Sequence, residues 1–218
     1  MNIHELMPYV LKKTWEHLEL TFISIFVAII IAIPFGIMLA RWKRPKLAAL
    51  VLRTVAVIQT IPGLALIALI IVLLASLRSF VAVPTTGLFP GLVVLVIYAL
   101  LPIVNNTYDG IKQILPTQIE VARSLGMTKS QILFWVEIPI SLPLLITGIR
   151  ISTVMTVGMA TLVSLVGSGG LGDLIMQGLR SMRLGLILAG TIPAALLAIS
   201  LDFLMALVGR WIAPNKKV

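Results

Sequence analysis

The stretch PTQIEVARSLGMTKSQILFWVEIPISLP, Pro116 to Pro143, decides how this chain is read. It is a polar interruption between apolar runs long enough to cross a bilayer. Thr117 and Glu120 stand at capping-box spacing, in which the hydroxyl accepts from the amide three residues on and the carboxylate reaches back, so a helix is predicted to start there. Gly126 follows soon after, where a helix ends most readily in the left-handed conformation that glycine adopts without steric cost. Thr128 and Gln131 repeat the box, which predicts a second helix running until Pro139 disturbs it. The product is a helix-turn-helix elbow over residues 116–139. Ile119, Val121, Ala122 and Leu125 give its first helix an apolar or small surface, and Glu120 and Arg123 add charge. Local chemistry leaves two readings open: a docking surface for a partner, or an ordinary amphipathic loop.

The rest of the chain sets the solvent. Of 218 residues, 59% are apolar and only 11% charged, against roughly 25% charged in a soluble domain. This composition belongs to an integral membrane protein. A spanning helix needs about 20 mostly apolar residues, and such runs occur at about Leu18–Ala40, Thr54–Leu77, Leu88–Tyr108, Ile140–Val166 and Gly185–Val208. The expectation is one all-α transmembrane domain covering residues 1–218, with five spans and the elbow between the third and fourth.

The net charge of +9 follows from topology and does not point to nucleic acid. Arg41, Lys43, Arg44, Lys46 and Arg53 crowd the first loop, whereas the loop after the second span has Arg78 alone. The positive-inside rule puts the first loop in the cytoplasm. Alternation then places Lys112, Arg123, Lys129, Arg210, Lys216 and Lys217 inside, and Lys12, Lys13, Arg180 and Arg183 outside. The N-terminus is expected outside, the C-terminus inside, and the elbow in the cytoplasm.

Several chemistries are excluded by what the sequence lacks. There is no cysteine, hence no disulfide, thiolate nucleophile or sulfur-ligated metal. The first apolar run is too long for a cleaved signal and ends in cations, so it is expected to remain as a span. No Walker loop and no HExxH motif is present, so any energy source must come from elsewhere. The Gly167–Gly172 cluster has a phosphate cradle's composition without its Lys; it reads as a sharp turn between the fourth and fifth spans.

Here the elbow resembles something known. Glu120, Ala122, Gly126 and the run Val136-Glu137-Ile138-Pro139 match the EAA-type loop of permease subunits of bacterial ATP-binding-cassette (ABC) importers. Val121 stands where that pattern has Ala, and Ile138 where it has Leu; both keep an apolar side chain. The resemblance implies that Glu120, Ala122, Arg123, Gly126 and Pro139 couple the chain to an ABC ATPase, which would hold ATP and Mg²⁺ while this chain binds no cofactor. It also implies an extracytoplasmic substrate-binding protein or lipoprotein and a second permease subunit. The span pattern is similar to the small-permease architecture of the methionine-importer type. Gln59-Thr60-Ile61-Pro62-Gly63, Tyr98-Ala99-Leu100-Leu101-Pro102-Ile103, Asn106-Thr107-Tyr108, Gly148-Ile149-Arg150 and Gly167-Ser168-Gly169-Gly170-Leu171-Gly172-Asp173 resemble the osmoprotectant branch, which imports glycine betaine, carnitine, choline and related quaternary amines.

Several intramembrane residues are candidates for the translocation path or its gate. Pro62 and Gly63 should break the second span; Gln59, Pro62 and Gly63 either border the path or form a static kink. Asn106 either faces the cavity or makes an interhelical hydrogen bond. Arg150 is costly inside a span and is a candidate by default, and Asp202 either offsets it or faces a subunit interface. Gly169 and Gly170 belong to an expected external gate. Trp15, Trp42, Trp135 and Trp211 read as interfacial anchors, and no aromatic cage for a quaternary amine is legible. Three rivals stay open. One is the same importer class with methionine or another small solute as cargo. A second is an ion-coupled secondary transporter, opposed by the odd span count and the scarcity of intramembrane acids. The third is an intramembrane enzyme, opposed by spans that hold no histidine and no paired acids.

Overall fold

The computed structural model describes residues 3–78 and 80–212, with side chains from Leu6 onward; Lys216 and Lys217 lie outside the described residues. Among them the chain is all helical. Four helical runs are long and apolar enough to cross a membrane, and a bent pair makes a fifth candidate.

The first helix, α1 (Ile3–Arg41), begins far ahead of the expected Leu18. Lys12, Lys13, Glu16 and Glu19 dilute the apolar signal there, but charged residues form helix readily and cost only membrane insertion. Next come α2 (Pro45–Thr60) and α3 (Gly63–Leu77), which meet at 105°. The expected second span is thus two helices. Pro62 has no N–H to extend α2, and its extended backbone (ψ 137°) starts α3 in a new direction.

The bundle core is α1, α4 (Leu88–Lys112) and α7 (Ile138–Val163). Leu20, Val94, Leu95, Ala160 and Val163 form one buried cluster, joined by Leu66, Ile67 and Ile70 of α3. Ala28, Ala32, Ala99, Ile103 and Val104 form a second. Small residues set the helix separations, as expected where lipid supplies no hydrophobic drive for association. A Cβ on Gly148 would stand 2.7 Å from Cβ of Asn106 and 2.9 Å from the Pro102 carbonyl oxygen. Outward faces carry exposed Phe22, Phe26, Ile30, Leu69, Val72, Ile199 and Phe203, the surface a lipid-facing protein presents.

Between α4 and α7 lie α5 (Pro116–Ser124), α6 (Lys129–Ile132) and a π-helical turn, Leu133–Glu137. A single 3₁₀ turn, Ser164–Val166, ends α7. The short helix α8 (Leu171–Arg180) precedes the last long helix, α9 (Leu184–Ile212). The expected reading of residues 167–180 contained no helix. Its glycine-rich start hid an amphipathic segment whose Leu171 and Leu174 are fully buried against α1 and α9.

Candidate functional site

The elbow forms, with its first cap shifted. Leu115 is the N-cap of α5 and Pro116 its first residue, so Thr117 and Glu120 make no capping box. The back-reaching bond comes instead from Gln118, whose Oε1 accepts from the Leu115 amide at 3.3 Å. Proline fits the first helical position because the N–H it lacks would have had no partner there. The far end closes as expected: Gly126 has φ +78°, its amide donates to the Arg123 carbonyl at 2.9 Å, and the Met127 amide donates to the Ala122 carbonyl at 3.1 Å. This is the Schellman arrangement. The second cap is also as read. Gln131 N–H donates to Thr128 Oγ1 at 3.3 Å, and Thr128 N–H to Gln131 Oε1 at 2.8 Å.

Glu120, Val121 and Arg123 of α5 and Leu125 at its C-cap are exposed, while Ala122 turns inward and is buried. The presented surface is therefore Val121 and Leu125 flanked by the two charges, without the expected contribution from Ala122. Nor does Pro139 end the second arm. The π turn carries the chain from α6 into α7, with Ile138 N–H bonding the Leu133 carbonyl five residues back. Such a turn relieves the clash a proline ring makes with the preceding turn of a regular helix.

At this junction the structure brings in Arg41, from the end of α1. Its Nε donates to Glu137 Oε2 at 2.7 Å, and its Nη2 donates to the carbonyl of Lys129 at 3.0 Å. Glu137 is 7% exposed. Beside the pair is a cavity of about 760 Å³ whose lining includes Lys43, Ile119, Arg123, Met127 and Lys129.

The intramembrane candidates are mostly held by backbone or by each other. Pro102 leaves the Tyr98 carbonyl without its helical donor, and Gln59 Nε2 donates to that oxygen at 3.3 Å. The neighbouring Ala99 carbonyl receives Ser152 Oγ at 2.6 Å. Gly63 abuts the Met159 side chain, with 2.9 Å from a built Cβ to the sulfur. The amide nitrogen of Asn106 donates to the Pro102 carbonyl one turn back in its own helix at 2.8 Å, rather than across helices. Arg150 and Asp202 form a two-pronged ion pair, 2.5 Å from Nε to Oδ1 and 2.6 Å from Nη2 to Oδ2, joining α7 to α9. Asp202 thus offsets Arg150, while both side chains stay more than a third exposed.

At the opposite end of the bundle from Arg41, Gly167, Gly169 and Gly170 all have positive φ, between 81° and 84°. Glu16 Oε2 accepts from the Gly170 amide at 3.1 Å and from Lys13 Nζ at 2.8 Å, and Lys13 also reaches Asp173 at 2.7 Å. His17 is fully buried. Its Nδ1 lies 3.3 Å from the Leu171 amide and its Nε2 3.0 Å from the Val157 carbonyl. One amide and one carbonyl fix the tautomer: Nδ1 accepts and Nε2 carries the hydrogen.

Residues 32–218 match the model of the family described as binding-protein-dependent transport system inner membrane component. The chain belongs to this family of membrane permeases. A carnitine transport permease protein, OpuCB of Listeria monocytogenes, is 40% identical over 94% of this chain and 88% of its own length. The glycine betaine/carnitine/choline transport system permease protein OpuCB of Bacillus subtilis is 39% identical over 94% and 89%. The osmoprotectant import permease protein OsmW of Salmonella typhimurium is 36% identical over 90% and 88%. Among solved structures, a chain of the MetNI methionine ABC transporter in an inward-facing conformation superposes with TM-score 0.83 and 25% identity, covering 97% of this chain and 99% of that one.

Two features of this permease escaped the sequence reading. By sequence Arg41 is one more cation of the first loop, and only the burial of Glu137 calls for it as a partner. His17 falls one residue before the expected first span, so the statement that the spans hold no histidine does not describe the helix that forms. No sequence signal connects either residue to its partner.

Proposed function

We propose that this permease is one transmembrane subunit of an importer for osmoprotectant quaternary amines such as glycine betaine, carnitine and choline. A separate ABC ATPase holds the ATP and Mg²⁺, an extracytoplasmic binding protein or lipoprotein delivers the cargo, and a second permease, identical or similar, completes the path. Relatives named for these cargoes at 36–40% identity support the substrate class. The elbow faces the cytoplasm in this reading, with the N-terminus outside and the C-terminus inside. The gathering of Arg41, Lys43, Arg123 and Lys129 about one cavity supports that placement.

The observation that carries the coupling role is continuity. The second arm of the elbow runs from Lys129 through the π turn into α7 as one helical run to Val166, so a load on α5 and α6 is delivered directly to a helix of the bundle core. Glu120, Arg123, Val121, Leu125 and the Gly126 turn form the contact with the ATPase, Ala122 seats α5, and Pro139 sits at the transmission joint. On the path side, the Pro62–Gly63 break with Gln59, the Asn106 turn and the Arg150–Asp202 pair border the route, and Gly169 and Gly170 form the outer gate.

The test is mass spectrometry of what co-purifies with the tagged chain, extracted gently from its own cells after osmotic upshift. Recovery of an ATPase and a binding protein is expected, and a second permease in equal amount would mean a heterodimer. Recovery of the chain alone would oppose the proposal. Ligand titration of the recovered binding protein separates quaternary amines from methionine or another small solute.

A further inference from the structure

The two clusters that sequence reading missed sit on one helix. Arg41 ends α1 beside the elbow; Glu16 and His17 lie on the same helix beside the glycine turn. At about 1.5 Å per residue the helix holds these two sites about 37 Å apart, the depth of a bilayer. At the first site one guanidinium grips both ends of the second arm, Lys129 by its carbonyl and Glu137 by its carboxylate. At the second site, one carboxylate and one imidazole receive two successive amides, Gly170 and Leu171, at the start of α8. Two of the residues between carry the body of α1 against the core, Ala28 and Ala32, both fully buried. The helix stays continuous through Pro34.

We propose that α1 is a connecting rod: Arg41 takes up movement of the elbow, and Glu16 and His17 deliver it to the Gly167–Gly172 turn. The proposal rests on the coupling role of the elbow argued above and adds a second route beside α7. Arg41, Glu16 and His17 are then positioning residues, acting on the turn without touching cargo. The arrangement suits transmission because each end is held by polar bonds of defined direction, while the cavity beside Arg41 and the exposed face of α5 leave the first arm room to move. A helix held at both ends transfers axial displacement far better than the 105° corner between α2 and α3.

The absence of cysteine gives a clean reporter. Leu165→Cys places one thiol on an exposed residue just before Gly167. The complex of this chain with its co-purifying ATPase is put in nanodiscs, and reaction with a charged methanethiosulfonate reagent is timed with and without ATP plus vanadate. The expected result is an about fivefold or larger change in rate on trapping, within the usual range of coupling between sites. That change should shrink in Arg41→Gln, leaving the part carried by α7, and uptake of glycine betaine per ATP hydrolysed by the same complex in liposomes should fall with it. Because both readings are taken on assembled complex, reduced yield does not enter them. If Arg41→Gln gives no complex, Glu137→Gln, which keeps the shape and an acceptor, is read the same way. No change on trapping, or the same change with Arg41 or Glu137 replaced, overturns the rod and leaves the importer standing. Failure of any ATPase to bind the unaltered chain overturns the importer reading itself.

Discussion

Gln59 donates its side-chain amide to the carbonyl of Tyr98, the oxygen that Pro102 deprives of its helical partner. The carbonyl freed by Pro102 in α4 and the break between α2 and α3 are therefore linked by one hydrogen bond. The Gln59–Gly63 segment has a structural duty whatever else it does.

A double-mutant cycle reads this bond. Gln59→Leu should lower thermal stability by about 1 kcal/mol, the usual value for a polar contact inside a membrane protein. In a Pro102→Ala background the same change should cost little, because the restored N–H of residue 102 reclaims the Tyr98 carbonyl. Additive losses in the purified protein would contradict the account.

The Arg150–Asp202 pair makes a second prediction. Arg150→Ala or Asp202→Ala leaves a lone charge within a span, and either variant should accumulate poorly in membranes by immunoblot. Arg150→Met with Asp202→Leu removes both charges and should restore the amount. If the pair also borders the path, the double variant will be present in normal amount and slow in uptake. Normal uptake would make the pair purely structural.

Gly126→Val forces a β-branched residue into φ +78° at an exposed turn with no steric neighbour, so its effect is conformational alone. Membrane insertion should be unchanged, while the Schellman closure is lost. Uptake should disappear, and less ATPase should co-purify.

Close helix contact is tested by two glycines of α7. Gly148→Val drives a side chain into Asn106 and the Pro102 carbonyl, and overpacking of this kind costs about 1–3 kcal/mol. Gly158 has nothing within 4 Å of a built Cβ, so Gly158→Ala should be neutral or slightly stabilising. Equal melting temperatures for the two variants would show that the α4–α7 separation is looser than described.

What the sequence made legible was local. The Gly126 turn, the Thr128–Gln131 cap and the break at Pro62 each depend on a few adjacent residues with restricted backbone choices, and all three formed as read. The cap at Thr117 was misplaced because Pro116 at the first helical position outcompeted a hydroxyl one residue later. The charged clusters were illegible because their partners are remote: Arg41 and Glu137 are 96 positions apart, and Glu16 and Gly170 154. Charge in a sequence announces a need for a partner or for water, and only the packing of α1 against α7 and α8 says which partner. Membership in the permease family was legible for a different reason. The elbow's motif lies within consecutive residues, so it is readable without any remote partner.

The most direct test of the central claim is uptake of radiolabelled glycine betaine into liposomes holding this permease with its co-purifying ATPase. Uptake should require ATP inside the vesicle, on the elbow side, and cargo-loaded binding protein outside, and should vanish without either. Uptake by the permease alone, driven by a sodium or proton gradient and indifferent to ATP, would contradict the account.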